Sequence, residues 1–212
     1  MHRGILIASI LAAAAPAAAQ AVEPGRYRLT GEQDVASELV LNKDGGFAYF
    51  LIAGALDERA AGRWSAEGPV VTLSVEPKPV PPAFTAGAAA RTGDATLALK
   101  VSWPDGRGIP GVDLRVGFAE GEPVADYTQE DGWSLPAEEK RKPIWVELSV
   151  PMYDLPPSRF PIDIAAANTL SFTLTPNDMG VFDFTGVRIE AEEKRLIVHR
   201  GGARLRYEAV RD

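Results

Sequence analysis

Hydrophobic residues in this chain recur with a period of two almost wherever they recur at all. That spacing puts alternate side chains on opposite faces of a strand, and it does not build the three-to-four-residue stripe of an amphipathic helix. Tyr27 and Leu29 alternate with Arg26, Arg28 and Thr30. Leu39 and Leu41 precede an Asp44-Gly45-Gly46 turn, and residues 47–52 (FAYFLI) follow it. Glycine takes the positive φ of a tight hairpin without a Cβ clash, so 38–42 and 47–53 are expected to pair. Segment 60–65, with Arg63 and Trp64, and segment 69–76, with Val71, Leu73 and Val75 on one face, extend this to an antiparallel meander of about five strands.

Residues 77–94 break the alternation. Prolines at 77, 79, 81 and 82 remove backbone donors, and small residues follow, so this stretch reads as a linker or crossover. Alternation resumes over 95–155. Leu97, Leu99, Val101 and Trp103 share a face, as do Val112, Leu114, Val116 and Phe118, and later Ile144, Val146, Leu148 and Val150. Turns fall at Pro104-Asp105-Gly106, Gly121-Glu122-Pro123 and Asp131-Gly132. Prolines at 151, 156, 157 and 161 make 151–161 look irregular. A last group of alternating segments runs over 169–209, through Leu170, Phe172 and Leu174, then Val187 and Ile189, Leu196 and Val198, and Leu205 and Tyr207. The class is all-β, an antiparallel meander barrel or sandwich with a second β-sandwich inserted or appended.

Two partial resemblances sharpen this. Ile109-Pro110-Gly111-Val112, then Thr128, Asp131, Gly132 and Leu135, resemble the carboxypeptidase-regulatory-like or transthyretin-like β-sandwich repeat over about 96–150. Gly25-x-Tyr27, Leu39-x-Leu41-x-x-Asp44-Gly45-x-Phe47-x-Tyr49, Gly62-x-Trp64 and Leu73 resemble lipocalin-like and META-type small β-barrels over about 25–75. The first resemblance implies a sandwich and is silent on function. The second implies a meander barrel and names no ligand. Five strands rarely close such a barrel, so 156–212 is expected to supply the remainder, with 95–155 as an insert. Two sandwiches in series is the alternative. The proline-rich stretches that bracket the insert favour the first.

Residues 1–19 read as an export signal: Arg3, then the apolar run 4–15, Pro16, and Ala17-Ala18-Ala19 before Gln20. The mature chain is expected in the periplasm or secreted. No later window offers the run of about 18 apolar residues a membrane helix needs. Zero cysteines exclude disulfides, thiolate metal sites, a cysteine nucleophile and a lipoprotein anchor. A net charge of −7 argues against a broad nucleic-acid surface.

The chain carries little catalytic equipment. Beyond the signal it has one histidine, His199, on a strand, and no G-x-S-x-G. No cofactor is expected. Asp57 with Glu58, and Asp178 with Asp183, are the carboxylate pairs that glycosidase-type hydrolysis would require, although Asp57-Glu58 also fits a turn paired with Arg59 or Arg63. Aromatic residues give the better binding hint: Tyr49, Phe50 and Trp64 lie in the meander, and one of its faces would line a barrel interior. The basic residues Arg188, Lys194, Arg195, Arg200, Arg204 and Arg206 are expected outward on the last strands, blunting an edge. The expectation is an exported noncatalytic binding or interaction protein, with Tyr49, Phe50, Trp64, Asp57, Glu58 and Arg63 as candidate ligand residues. A lipocalin-like carrier of a small apolar ligand is the first alternative and a carboxylate-dependent hydrolase the second. The expected partner is a small apolar ligand or an envelope protein.

Overall fold

A computed structural model of the chain describes residues 22–93 and 96–210. The expected signal, 1–19, lies outside the described residues. Five strands come first: β1 (Gly25–Thr30), β2 (Val35–Leu41), β3 (Gly46–Ala53), β4 (Leu56–Glu67) and β5 (Val70–Val75). Eight follow: β6 (Ala83–Ala90), β7 (Ala98–Ser102), β8 (Asp113–Phe118), β9 (Val124–Tyr127), β10 (Trp133–Ser134), β11 (Pro143–Val150), β12 (Leu155–Pro161) and β13 (Thr169–Thr175). Three end the series: β14 (Arg188–Glu192), β15 (Arg195–Arg200) and β16 (Ala203–Ala209).

The first five and last three strands form one closed antiparallel barrel, in the order β1-β16-β15-β14-β5-β4-β3-β2. It is an up-and-down meander interrupted once, between β5 and β14. Closure runs through β16, where Tyr27 faces Ala209 and Thr30 faces Arg206. The alternation that marks each strand fixes which face is inside: Tyr27, Leu29, Leu39, Leu41, Phe47, Tyr49 and Leu51 are all buried in the barrel core. The turns follow their side chains. Asp44 Oδ1 accepts the amide of Gly46 at 2.9 Å across the first β2–β3 turn, with Gly45 at φ 82°.

The interruption is a sandwich of two four-stranded sheets, β10-β7-β13-β6 and β12-β11-β8-β9. Leu97, Leu99, Val101, Phe172 and Leu174 from one sheet meet Leu114, Val116, Val146 and Leu148 from the other. The Thr128 hydroxyl, fully buried, donates to the Ile109 carbonyl at 2.6 Å and accepts from the Val112 amide at 3.1 Å. That pair of bonds explains why a threonine follows the Ile-Pro-Gly-Val turn.

Three boundaries differ from the sequence expectation. The sandwich spans 83–175 rather than 95–155, because Ala83–Ala90 is strand β6 and not part of a linker; only the prolines of 77–82 cross over. Residues 155–161 form β12 despite Pro156, Pro157 and Pro161, since β12 is an edge strand with β11 as its neighbour on one side only, where missing donors are tolerated. Strand β13 pairs with β6 and β7, so 169–175 belongs to the sandwich while 188–209 belongs to the barrel.

Gly117 on β8 shows how tightly the sandwich is set. Trp145 of β11 lies flat over it, and an added Cβ would come within 1.7 Å of the indole ring. Arg159 also stacks on this indole, 3.9 Å from the ring centroid. Gly117→Ala is expected to displace Trp145 and destabilise the protein by about 1–3 kcal/mol, read as a lower urea midpoint.

Candidate functional site

The six residues singled out from the sequence do not meet. Tyr49 and Glu58 point into the barrel, 5% and 3% exposed. Phe50 neighbours Tyr49 on β3 and therefore points outward, where it is 39% exposed. Asp57 and Arg63 lie on the outer face of β4, both exposed. Trp64 shares the inner face with Glu58 but sits six positions along the strand, roughly 20 Å away, where its indole N–H donates to the Asn42 carbonyl at 2.8 Å. Asp57-Glu58 was expected in a turn. It lies within β4, because the turn falls earlier, at Gly54-Ala55, and places the two carboxylates on opposite faces. Adjacent strand residues cannot converge on one bond, so this pair lacks the geometry of acid–base hydrolysis.

What gathers around Glu58 is a set of groups that the sequence scatters widely. Arg200 of β15 grips Glu58 in a two-pronged bond, Nη1 to Oε2 at 2.5 Å and Nη2 to Oε1 at 2.7 Å. Its guanidinium lies 3.8 Å over the Phe182 ring and 3.4 Å from the Tyr49 hydroxyl. Nη2 also reaches Asp154 Oδ2 in the sandwich, at 3.5 Å. Burial opposes the charge on Arg200, but hydrogen bonds and charge from Glu58 outweigh it and raise its pKa further. Arg200 was expected to point outward among the basic residues. It shares the parity of Leu196 and Val198, both buried inside, and so points in; moreover the closed barrel leaves β15 no edge to blunt. The other strand bases do face out, interleaved with acids: Arg188 with Glu190, Arg204 with Glu192, and His199 with Glu190 at 3.1 Å.

Below this pair the barrel interior is filled by aromatic side chains. The segment from β13 to β14 crosses the barrel mouth and lowers Phe184 into it, 4.9 Å between centroids from Tyr49 and 5.8 Å from Phe47. Tyr207, fully buried, shares a hydrogen bond with the Ser37 hydroxyl at 2.8 Å. Burial raises the pKa of Tyr27, Tyr49 and Tyr207 above the ordinary 10.0, with the Glu23 carboxylate adding at Tyr27. The raised folded-state values mean that this stabilisation is complete below pH 10 and falls once unfolded-state tyrosines begin to ionise. Stability is therefore expected to drop as pH climbs through about 10. Tyrosinate absorbance at these three positions should appear together with loss of the folded circular-dichroism signal.

The two crossovers are fastened to each other. The Val80 amide donates to Asp178 Oδ2 at 2.8 Å, the Asp178 amide to the Val80 carbonyl at 3.1 Å, and Asn177 Nδ2 to the Pro81 carbonyl at 2.8 Å. The second crossover is also laid along β4: the Arg59 amide donates to Gly180 and the Phe182 amide to Arg59, at 2.8 and 2.9 Å. Gly180 (φ 81°) permits this approach, since a Cβ there would meet the Asp57 carbonyl at 2.9 Å. Between these straps and the Tyr153–Asp154 turn lies a cleft of about 460 Å³ at the barrel–sandwich junction. Pro79, Val80, Met179, Val181, Phe182 and Tyr153 form its apolar walls, and Glu58, Asp154, Asp178, Asp183 and Lys78 its polar ones.

Asp178 and Asp183 do reach one cleft, and each already has a structural partner. Asp183 Oδ1 accepts from the Thr185 amide at 2.9 Å and hydroxyl at 2.7 Å; those bonds lower its pKa. A larger cavity, about 940 Å³, opens at the opposite barrel end beside Val22, Glu23 and Tyr27. Among the described residues no group of three or more His, Asp or Glu side chains is placed to hold a metal ion. Comparison with protein-family models, with curated proteins and with solved structures finds no match.

Proposed function

We propose that the protein is a noncatalytic binding protein of the cell envelope, and that it holds its ligand in the junction cleft. The observation that carries this reading is the construction of the cleft. Two separately cored β units meet there, and the crossovers that form its walls are hydrogen-bonded to each other and to β4. Such a cleft exists before a ligand arrives, and junctions between folded units are where small-molecule sites concentrate. Its volume suits a molecule of modest size. The cleft carboxylates favour binding over chemistry, since Glu58 has both oxygens held by Arg200, and Asp178 and Asp183 each hold one oxygen in a structural bond. The envelope assignment rests on the signal-like residues 1–19. A ligand in the cleft, rather than inside the barrel, accords with Phe184 occupying the barrel core.

Native mass spectrometry of protein purified gently from its own envelope tests this. A small-molecule adduct is expected on the wild type and absent from Val80→Trp, whose indole would fill the cleft from a position now 55% exposed. An adduct retained equally by the variant, or a bare protein mass in both, would sink the reading.

A further inference from the structure

We infer that the cleft selects cationic amphipaths: molecules with an apolar body and a protonated or quaternary amine head. This rests on the cleft being the binding site and names the class it takes. The charge count is unequal. Of the four carboxylates lining the cleft, Glu58 is matched by Arg200, and Lys78 offsets one of Asp154, Asp178 and Asp183, so two negative charges are left over. Asp154 is the most available of them. Its side chain is 74% exposed, and its contact with Arg200 is long, 3.5 Å. Asp178 spends one oxygen on the Val80 amide and Asp183 one on Thr185, which leaves the second oxygen of each for a donor.

The walls supply the other half of the specificity. Val80, Met179, Val181 and the proline rings offer surface to an alkyl or aryl body. The Tyr153 ring rests against Gly180, its Cε1 3.8 Å from where a Cβ would stand. A cation beside that ring gains from its π-face as well as from the carboxylates. An anion of the same shape meets the excess negative charge. A neutral analogue loses water from the carboxylates and gives no charge in return.

The test uses octylammonium, octanol and octanoate, equal in chain length and different in charge. Binding to the whole protein is measured by titration calorimetry at low ionic strength. Octylammonium is expected to bind at least about tenfold more tightly than octanoate, with the margin narrowing as salt is added. Asp154→Asn, which retains a residue tolerant of the left-handed backbone at φ 53°, should weaken octylammonium several-fold and leave octanol unchanged. Val80→Trp should abolish binding of all three. If octanol or octanoate binds as tightly as the amine and Val80→Trp still blocks it, the cleft is the site and the cationic class is wrong. If no probe shows binding that Val80→Trp removes, the cleft reading and the cationic class fall together.

Discussion

Arg200→Ala is expected to lower the unfolding free energy by about 3–5 kcal/mol, the range seen when one partner of a buried ion pair is removed. The reason lies mostly in what remains. The Glu58 side chain is only 4% exposed, and Arg200 supplies two of its hydrogen bonds along with its compensating charge. Alanine leaves that carboxylate among aromatic rings and strips Phe182 of its cation. A double variant distinguishes the pair from a general packing loss. Glu58→Leu with Arg200→Leu replaces two desolvated charges by apolar groups, and it should recover most of what Arg200→Ala loses. Urea unfolding of the single and double variants measures the coupling. A cost for Arg200→Ala below about 1 kcal/mol would place the pair with solvent-exposed bridges.

Phe184→Ala should be comparably severe, also about 3–5 kcal/mol, by a different mechanism. The side chain is 3% exposed and packs edge-on against Phe47, Tyr49 and Phe182. It reaches the core from a crossover rather than from a strand, so the barrel walls cannot collapse into the space without parting their hydrogen bonds. The vacancy should stay open and apolar, and benzene should raise the variant's thermal midpoint while leaving the wild type unmoved. Phe182→Ala, half-buried under Arg200, should cost less than Phe184→Ala. A reversed order would mean that the stacked cation, and not the filled interior, holds the barrel mouth.

Strand identity was readable wherever a strand buries one face. Leu39, Leu41, Phe47, Tyr49, Val71 and Leu73 declare their side by alternation, and Asp44-Gly45 declares its turn. The extent of the sandwich was harder to read. Strand β6 (AFTAGAAA) buries only Phe84, so it has no alternation to show and is held by its pairing with β13. Strand β12 was hidden by prolines that an edge position tolerates. Sequence separation hid the cluster around Glu58. Glu58 and Arg200 stand 142 residues apart, and nothing local ties them. The parity of Arg200 with Leu196 and Val198 was nonetheless a usable signal, since a charged residue in phase with an inward face must find a partner inside. Phe182 and Phe184 carried the same spacing in a segment that forms no strand.

The strapped crossovers also bear on the order of folding. Barrel closure requires β14 to find β5, with the whole stretch from 76 to 187 as the intervening loop. Strand β1 must wait longer still, for β16. Joining ends so distant in the chain is slow, and an open five-strand meander shows two bare margins in the meantime. Once the sandwich has folded and Val80 is bonded to Asp178, that long loop shrinks to two short arms whose ends already lie side by side. The inserted unit is then expected to act as a clasp that converts a remote encounter into a nearly local one, so a substitution that slows sandwich folding should slow barrel closure in stopped-flow refolding as well.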